Sequence, residues 1–373
     1  MDDKTIAIAT WWSYLNCGGL LQAYALQRIL RMWGYDSEFV RLLSPRGSFS
    51  HRMARLLKDG VVFVSRPRLY QARRQMSRFI ENHLVISEPF HTYDELANAA
   101  NKRYSAAICG SDQIWSNVGG IVDPLFYLTF IEQNKRIAYG PSIGYSHVSS
   151  DVIDEFREYV RSIPHLSVRE KRGAELIKEI TGRYAYVVLD PSLLLTAEQW
   201  QEETASSVGG PHKDSYIFCY WLADNPEYSR LARSLADATG CSLVAMEPVA
   251  RNFRSLDGVW RIVSDPFDFV QLISGATYVL TDSFHATAFS INFRKQFGVF
   301  RRFHDDDPVC QNSRIYNILE MTHLESQLLD SDVALHRFGA EKIDYDHVSP
   351  LLRDEREHSM AYLRGALTNV LGH

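Results

Sequence analysis

One stretch, YVLTDSFHATAFS at residues 278–290, constrains the fold more than any other. A short apolar run ends in the polar turn TDS, and His285 then opens a segment with helical spacing. This order predicts a buried parallel strand that enters a helix through a tight turn. Either Asp282 or Ser283 can cap that helix, which places free backbone N–H groups and His285 at the carboxyl end of the strand. We therefore expect an anion site that carries a histidine able to move protons near neutral pH.

The same alternation of strand, turn and helix recurs along the chain in two groups. Predicted strands are residues 4–10, 37–43, 104–109, 136–139, 165–169, 185–189, 216–222, 241–246, 278–280 and 297–301. Predicted helices are residues 20–33, 151–162, 170–181, 226–239, 265–274, 313–322 and 354–370, with one more beginning at 285. The best linker between the groups is SSVGGPHKD at 206–214.

The alternation predicts an α/β protein with parallel sheets, and 373 residues favour two domains. We predict two Rossmann-like domains, at 1–205 and 206–345, that face a central cleft where ligands bind. The long charged helix within 346–373 is expected to end the chain.

Composition and charge exclude several classes of protein. The net charge of −5 argues against general nucleic-acid binding, and no apolar run is long enough to cross a bilayer. The acidic N-terminus MDDKTIAIAT is unlike a signal peptide, so a cytoplasmic location is expected. The five cysteines form no C-x-x-C pair, which argues against a zinc ribbon or a disulfide framework. The acidic triplet at 305–307 could bind Mg²⁺, but we favour a solvated loop and predict no metal.

A basic segment interrupts this negative chain. Between residues 46 and 78 there are nine Lys and Arg residues against one acid, Asp59, which gives a local net charge of 9 − 1 = +8. Apolar residues are interleaved with these bases. A basic amphipathic insertion at about 45–84 can lie on an anionic membrane surface or hold a diphosphate. The alternative, a solvated helical insertion, stays open.

Five segments in order resemble the polysaccharide pyruvyl transferase family. They are NCGGLLQAYAL at 16–26, GSDQIW at 110–115, SVRE at 167–170, DP at 190–191 and TDSFH at 281–285. The resemblance implies a fold like that of two-domain GT-B glycosyltransferases, in which the C-terminal helix at 346–373 packs back on the first domain. It also implies transfer of the enolpyruvyl unit of phosphoenolpyruvate to two sugar hydroxyls as a cyclic ketal, in cell-surface polysaccharide assembly. Phosphoenolpyruvate is then a co-substrate, no cofactor is expected, and the acceptor is a sugar. A lipid-linked oligosaccharide at the inner membrane face is a further hypothesis for the acceptor, because it would give the basic segment a purpose.

The site residues follow from this resemblance together with residue chemistry. His285 is the predicted general acid, and Asp112 is a candidate base, although an Asx-type turn is an equal alternative for it. The predicted donor-binding residues are Arg169, Ser283, Phe284, His285, Gly18 and Gly19. The predicted acceptor-binding residues are Asn16, Asp112 and Trp115. For the glycine pair, a tight turn remains the alternative to ligand contact.

Two positions depart from the family pattern. Some members carry an arginine at the position of Ser283, and that arginine binds the donor. Here the serine hydroxyl and backbone N–H could replace it, or another cation could, namely Arg301, Arg302 or Arg314. Cys17 replaces the usual aromatic residue of the first motif. A glycosyltransferase that uses a nucleotide-sugar and a non-catalytic carbohydrate-binding relative remain the alternative functions.

Overall fold

A computed structural model describes eleven parts of the chain. These are residues 5–13, 16–43, 67–116, 120–206, 215–223, 225–246, 259–263, 265–307, 310–329, 338 and 341–372. The linker predicted at 206–214 falls outside them except for its first residue, and so does the basic insertion up to residue 66. The domain boundaries at 205 and 345 therefore stay predictions.

The first sheet is parallel and belongs to the N-terminal half of the chain. Its strands are β1 (Thr5–Ala9), β2 (Ser37–Phe39), β3 (Tyr104–Cys109) and β4 (Arg136–Ala138). They lie in the order β2-β1-β3-β4. A bridge from Ile137 to His165 leads on to a parallel pair, β5 (Ser167–Val168) and β6 (Tyr186–Val187). The chain runs outward from β1 to β2 and returns on the other side at β3, so strand order reverses between β1 and β3.

The second sheet has six parallel strands. They are β7 (Tyr216–Tyr220), β8 (Ser242–Met246), β9 (Val259–Ile262), β10 (Tyr278–Thr281), β11 (Gln296–Phe300) and β12 (Leu328–Leu329). Their order is β12-β11-β10-β7-β8-β9, with β10 pairing directly with β7. Strand order therefore reverses between β7 and β10. Clefts at such reversal points, outside the carboxyl ends of the strands, are where open α/β sheets bind ligands.

Helices of eight or more residues, and one shorter helix, connect these strands. They are α1 (Cys17–Met32), α2 (Pro67–His83), α3 (Tyr93–Arg103), α4 (Ile153–Arg161), α5 (Lys171–Thr181), α6 (Ala197–Glu203), α7 (Pro226–Thr239), α8 (Pro266–Gly275), α9 (Phe284–Asn292), α10 (Ser313–Met321) and α11 (Tyr345–Leu371). Among the described residues, none of the helices is long and apolar enough to cross a membrane.

Helix α1 lies between the two halves of the chain and is buried along most of its length. Tyr24 contacts Phe267 of α8 and Trp200 of α6, with ring centroids 5.1 and 5.9 Å apart. Each leucine that α1 buries stabilises the fold by roughly 2 kcal/mol. This packing fixes the N-terminus of α1 beside the second sheet.

Helix α11 contacts both halves. The Tyr362 hydroxyl donates to the Ala138 carbonyl in β4, and Arg356 Nη2 donates to Asn292 Oδ1 in α9. The helix begins at Tyr345, whereas the sequence predicted a start at residue 354. The predicted start was too late because Pro350, in the second turn, masks the helical pattern there. A proline so near the start removes only one backbone hydrogen bond, so the helix continues through it.

The predicted α/β fold with parallel sheets is confirmed. Helix α1 starts at Cys17 rather than residue 20, so Cys17 is a buried helical residue and not part of a loop. Burial raises the pKa of its thiol. The described part of the basic insertion is helix α2, which packs Ala72, Met76 and Phe79 inward.

Candidate active site

Both reversal points open on one cavity of about 410 Å³. Its walls come from the segments after β1 (Trp11, Ser13, Asn16), after β3 (Asp112, Gln113), after β7 (Leu222) and after β10 (Asp282, Ser283, Phe284, His285). The region before and at the start of α10 completes it, with Arg302, Phe303, Gln311, Asn312, Arg314 and Ile315. The volume lies in the range of sites for small ligands.

Three helix N-termini reach this cavity, those of α1, α9 and α10. Asn16 caps α1 by accepting from the Gly19 N–H at 3.2 Å. Ser283 precedes α9 and Asn312 precedes α10, and neither side chain caps its helix. Uncapped N–H groups at a helix start, together with the helix dipole, favour a bound anion.

Asp282 does not cap α9, although its position allowed that role. Its two carboxylate oxygens accept from the Leu222 N–H at 2.7 Å and the Ala223 N–H at 2.9 Å. The carboxylate thus ties the end of β7 to the end of β10, and burial raises its pKa. Because Asp282 is occupied, the first N–H groups of α9 remain available to a ligand.

The glycine pair lies in the first turn of α1, not in a loop, and it permits two close contacts. A Cβ on Gly18 would come within 2.2 Å of His285 Nδ1, and one on Gly19 within 3.2 Å of Asp112 Oδ2. The first separation is too short for any side chain. Glycine at 18 therefore lets the His285 ring pack directly against the backbone of α1.

His285 is 7% exposed, and its Nε2 has no hydrogen-bond partner among the described residues. Burial lowers the pKa of the imidazole, while the carboxylates of Asp190 and Asp112 oppose that shift. The nearest of these atoms is Asp190 Oδ2, 3.8 Å from Nε2. Burial thus favours the neutral ring, although a carboxylate lies close to it.

Asp190, from the DP segment, holds a buried polar cluster behind the histidine. Its Oδ2 accepts from Arg169 Nη1 at 2.7 Å and from Ser111 Oγ at 3.0 Å. Its Oδ1 accepts from the backbone N–H and the hydroxyl of Ser192. Burial alone would raise the pKa of this carboxyl, but the positive charge of His285 in its protonated form, the Arg169 guanidinium and the hydrogen bonds from Ser192 outweigh burial and lower it. Asp190 is therefore ionised. In the sequence it is marked only as part of the DP segment, and no role in the site was predicted for it.

Arg169 does not line the main cavity. It lies in a second cavity of about 290 Å³, where Phe284 packs over its guanidinium at 4.4 Å and borders both spaces. Its charge is engaged by Asp190 and by Glu170 Oε1 at 3.2 Å. Burial opposes the charged form, yet these carboxylates raise the pKa of Arg169. Arg169 therefore binds Asp190, while its buried Nη2 has no hydrogen-bond partner among the described residues. Its predicted contact with the donor stays a prediction.

Asp112 adopts a left-handed backbone conformation, with φ of 67°. Few residues other than glycine do so, and aspartate tolerates it better than most. Its carbonyl accepts from Ser142 N at 2.8 Å, and its Oδ1 accepts from Gln113 N at 2.9 Å. The surrounding bonds fix this conformation, and the carboxylate lines the cavity, so the turn and the functional interpretation coexist.

Trp115 is not available to a sugar. It is 1% exposed, stacks on Tyr127 with centroids 5.0 Å apart, and donates from Nε1 to the Phe126 carbonyl. Its predicted acceptor-binding role is therefore wrong, because the turn after β3 directs the Trp115 ring into the core and not into the cavity. Trp11 lines the cavity instead.

The metal alternative gains no support from geometry. Asp305 accepts from Asn312 Nδ2 at 3.0 Å and from the Tyr316 hydroxyl at 2.6 Å, which holds its carboxylate against α10. Across the described ranges, no group of three or more His, Cys, Asp or Glu side chains is placed to hold a metal ion.

Solved structures with similar folds share little sequence with this chain. UDP-N-acetylglucosamine 2-epimerase from Rickettsia bellii has a TM-score of 0.55 at 10% identity, over 98% of this chain and 96% of that one. The trehalose-6-phosphate phosphatase N-terminal domain from Candida albicans has a TM-score of 0.53 at 8% identity, over 99% and 97%. UDP-GlcNAc 2-epimerase from Neisseria meningitidis, solved with UDP-GlcNAc bound, has 0.50 at 9%, over 97% and 100%. These likenesses define the fold as GT-B-like.

The chain belongs to the polysaccharide pyruvyl transferase family, whose model matches residues 16–302. The matched range contains all five motif segments, so the predicted family is confirmed and supports a transferase. No curated protein matches the chain in sequence. Arg314 and Gln311 lie beyond the matched range, which is one reason that motif comparison alone could not single them out.

Proposed function

We propose that this protein is a pyruvyltransferase that moves the enolpyruvyl unit of phosphoenolpyruvate onto two hydroxyls of a sugar. One observation carries the proposal most directly. A buried histidine, an uncapped helix N-terminus and a carboxylate from the opposite sheet line the same cavity. A donor with two anionic groups and a basic enol carbon requires such a combination.

The donor binds with an anionic group at the start of α9. The N–H groups that follow Ser283 and the positive end of the helix dipole bind an oxyanion there. Ser283 contributes its hydroxyl to the same end of the cavity, whereas its backbone N–H is already donated to Thr281 Oγ1 at 3.0 Å. Phe284, packed on Arg169, forms the wall between the donor and the Asp190 cluster.

His285 then acts as the general acid. In the free protein its pKa is lowered by burial, and the negative charge of the arriving donor raises it, so the ring takes up a proton on binding. Transfer of that proton to C3 makes the methyl group and leaves C2 as an oxocarbenium-like centre. Asp190 stabilises the imidazolium from 3.8 Å.

Two acceptor hydroxyls complete the reaction at C2. The first oxygen bonds to C2 as its proton passes to Asp112, and the C2–O bond to phosphate breaks. The second oxygen then bonds to C2, closes the ring and loses its proton. Of the two hydroxyl protons, one restores the proton that His285 gave to C3, and the other leaves with the phosphate. The acceptor lies along the first-sheet wall, with Asn16 and Asp112 binding hydroxyls and Trp11 offering a ring face.

We further propose a cytoplasmic site of action, with the acceptor carried on a lipid at the inner membrane face. Helix α2 supports this with three exposed arginines, Arg68, Arg74 and Arg78. An exposed basic helix adds about 1 kcal/mol per charge at an anionic surface. Replacing the three by serine is expected to abolish sedimentation with anionic liposomes at low salt; unchanged sedimentation would contradict the membrane proposal.

The reaction itself is tested by incubating the protein with phosphoenolpyruvate and a panel of sugar acceptors. We expect phosphate release that depends on the acceptor, and a product heavier by one pyruvate less one water in mass spectrometry. His285→Gln and Asp112→Asn should each reduce turnover by ~10²-fold or more. His147→Gln, at an exposed histidine, is the matched control and should keep full activity. Sugar binding without phosphate release would favour a non-catalytic binding protein, and protection by nucleotide-sugars alone would favour a glycosyltransferase.

A further inference from the structure

Arg314, the second residue of α10, lies at the cavity wall and forms no ion pair within 4 Å in the part of the chain that the structure describes, although Asp112 and Glu170 act on its charge from farther away. Its Nη2 donates to Gln311 Oε1 at 3.0 Å, and its Nε is buried with no hydrogen-bond partner in the described part of the chain. Arg169, the other buried guanidinium of the region, is instead paired with two carboxylates. A buried charge is costly unless something compensates it. The cavity beside Arg314 is where compensation can come from.

The orientation of Arg314 is fixed from across the cleft. Gln311 Oε1 also accepts from Gln113 Nε2 at 2.9 Å, and Gln311 Nε2 donates to the Tyr145 hydroxyl at 2.7 Å. Gln113 directly follows Asp112, the carboxylate on the first-sheet wall. The guanidinium is thus held toward the cavity by the same loop that presents Asp112, and it is pre-organised before any ligand arrives.

The charges around Arg314 also favour an anion in the cavity. Burial and the neighbouring Arg169 cation lower the pKa of Arg314 to about 10. Arg314 in turn disfavours the protonated form of His285. An anion in the cavity between Arg314 and His285 would raise the pKa of both groups, because it attracts both cations.

The geometry therefore points to Arg314 as the guanidinium that binds an anionic group of the donor, in place of an arginine at position 283. This assignment rests on the proposed function for the identity of the donor, phosphoenolpyruvate. Either its phosphate or its carboxylate fits a guanidinium fork, since both accept two parallel N–H bonds. Arg302 and Arg301 are not given this role: Arg302 stacks on Phe303 at 4.5 Å, and Arg301 is exposed and lies 3.5 Å from Asp305.

The test is calorimetric titration of the full-length protein with phosphoenolpyruvate, inorganic phosphate and pyruvate in turn. Arg314→Gln is expected to weaken phosphoenolpyruvate binding roughly 10- to 100-fold, and Arg314→Lys less. Arg301→Gln is the matched control and should bind within twofold of the parent. Thermal unfolding without ligand separates binding from structure: R314Q should unfold no earlier than the parent, because it removes a partly buried charge that forms no ion pair among the described residues.

Each outcome of the titrations either supports or overturns the assignment of Arg314. Weaker binding of phosphoenolpyruvate together with weaker binding of only one of the other two anions, inorganic phosphate or pyruvate, supports the assignment and identifies the group bound. Binding of phosphoenolpyruvate within twofold of the parent, an equal loss in R301Q, or no binding of any of the three anions by the parent would overturn it. If R314Q does not fold, comparison of R314K with the parent decides by the same criterion. Arg314-dependent binding without ketal formation would refute the proposed reaction and leave the anion site standing.

Discussion

Asp190→Asn removes the charge that holds the cluster behind His285, and its cost can be worked out from the contacts. The side chains of Asp190 and Arg169 are 0% and 2% exposed, so solvent cannot compensate Arg169 once its partner is neutral. Breaking one side of a buried ion pair costs about 3–5 kcal/mol. Since Glu170 remains 3.2 Å from Arg169 Nε, we expect a loss near the lower end, about 3 kcal/mol.

The measurement is the free energy of unfolding from urea denaturation followed by tryptophan fluorescence. Asp154→Asn is the matched control, because Asp154 also pairs with an arginine, Arg157, but is 89% exposed. That change should cost less than about 1 kcal/mol. If D190N and D154N lose the same amount, the inference that Asp190 compensates a buried charge is wrong.

A double-mutant cycle sharpens the result. Arg169→Gln alone leaves Asp190 ionised and buried, whereas Arg169→Gln with Asp190→Asn leaves two neutral side chains. The double variant should therefore lose less than the sum of the single losses, by up to about 3 kcal/mol. Additive losses would show that the two side chains do not depend on each other.

Two further predictions follow from the histidine. Gly18→Ala inserts a Cβ 2.2 Å from His285 Nδ1 and should displace the ring, which would lower turnover by ~10²-fold. The control is Gly365→Ala, at a helical glycine where the added Cβ meets no neighbouring residue within 4 Å. It should leave turnover unchanged and raise stability by up to about 1 kcal/mol. Equal turnover in G18A and the parent would show that the ring is not held by this contact. The pKa of His285 in the folded protein lies below its ordinary 6.5. As pH falls below about 6.5, the unfolded chain therefore binds more protons than the folded protein does. Stability should rise with pH through that window and level off above it. His285→Gln should make that part of the profile flatter, and an unaltered slope in a urea series at several pH values would contradict the lowered pKa.

The fold was largely predictable because strand and helix periods are local signals. Apolar runs predicted β3 and β10 closely, and helix spacing predicted α7 to the residue. Short strands such as β12, with two residues, carry too little pattern to be found. Helix α11 began earlier than predicted because one proline outweighed the pattern on either side of it.

Site residues were predictable where a motif marked them and not where folding selects among similar side chains. His285 and Asp112 follow strands, and the reversal points bring both to one cavity. Trp115 and Trp11 look equally suitable in sequence, but only the turn geometry decides which one faces the core. Asp190 lacked any signal beyond its motif, because its role depends on a buried neighbour 21 residues away.

The contact of Gly18 with His285 joins residues from opposite halves of the chain, and this couples cleft width to acid strength. While the cleft is closed, the α1 backbone excludes water from one face of the ring and helps keep it neutral. Widening the cleft would hydrate the imidazole and return its pKa toward 6.5. The acid would then charge by contact with solvent instead of with the donor. Under the proposed reaction, a closed cleft would make protonation of His285 depend on an anion in the cavity, so that the acid would form only when the donor is bound.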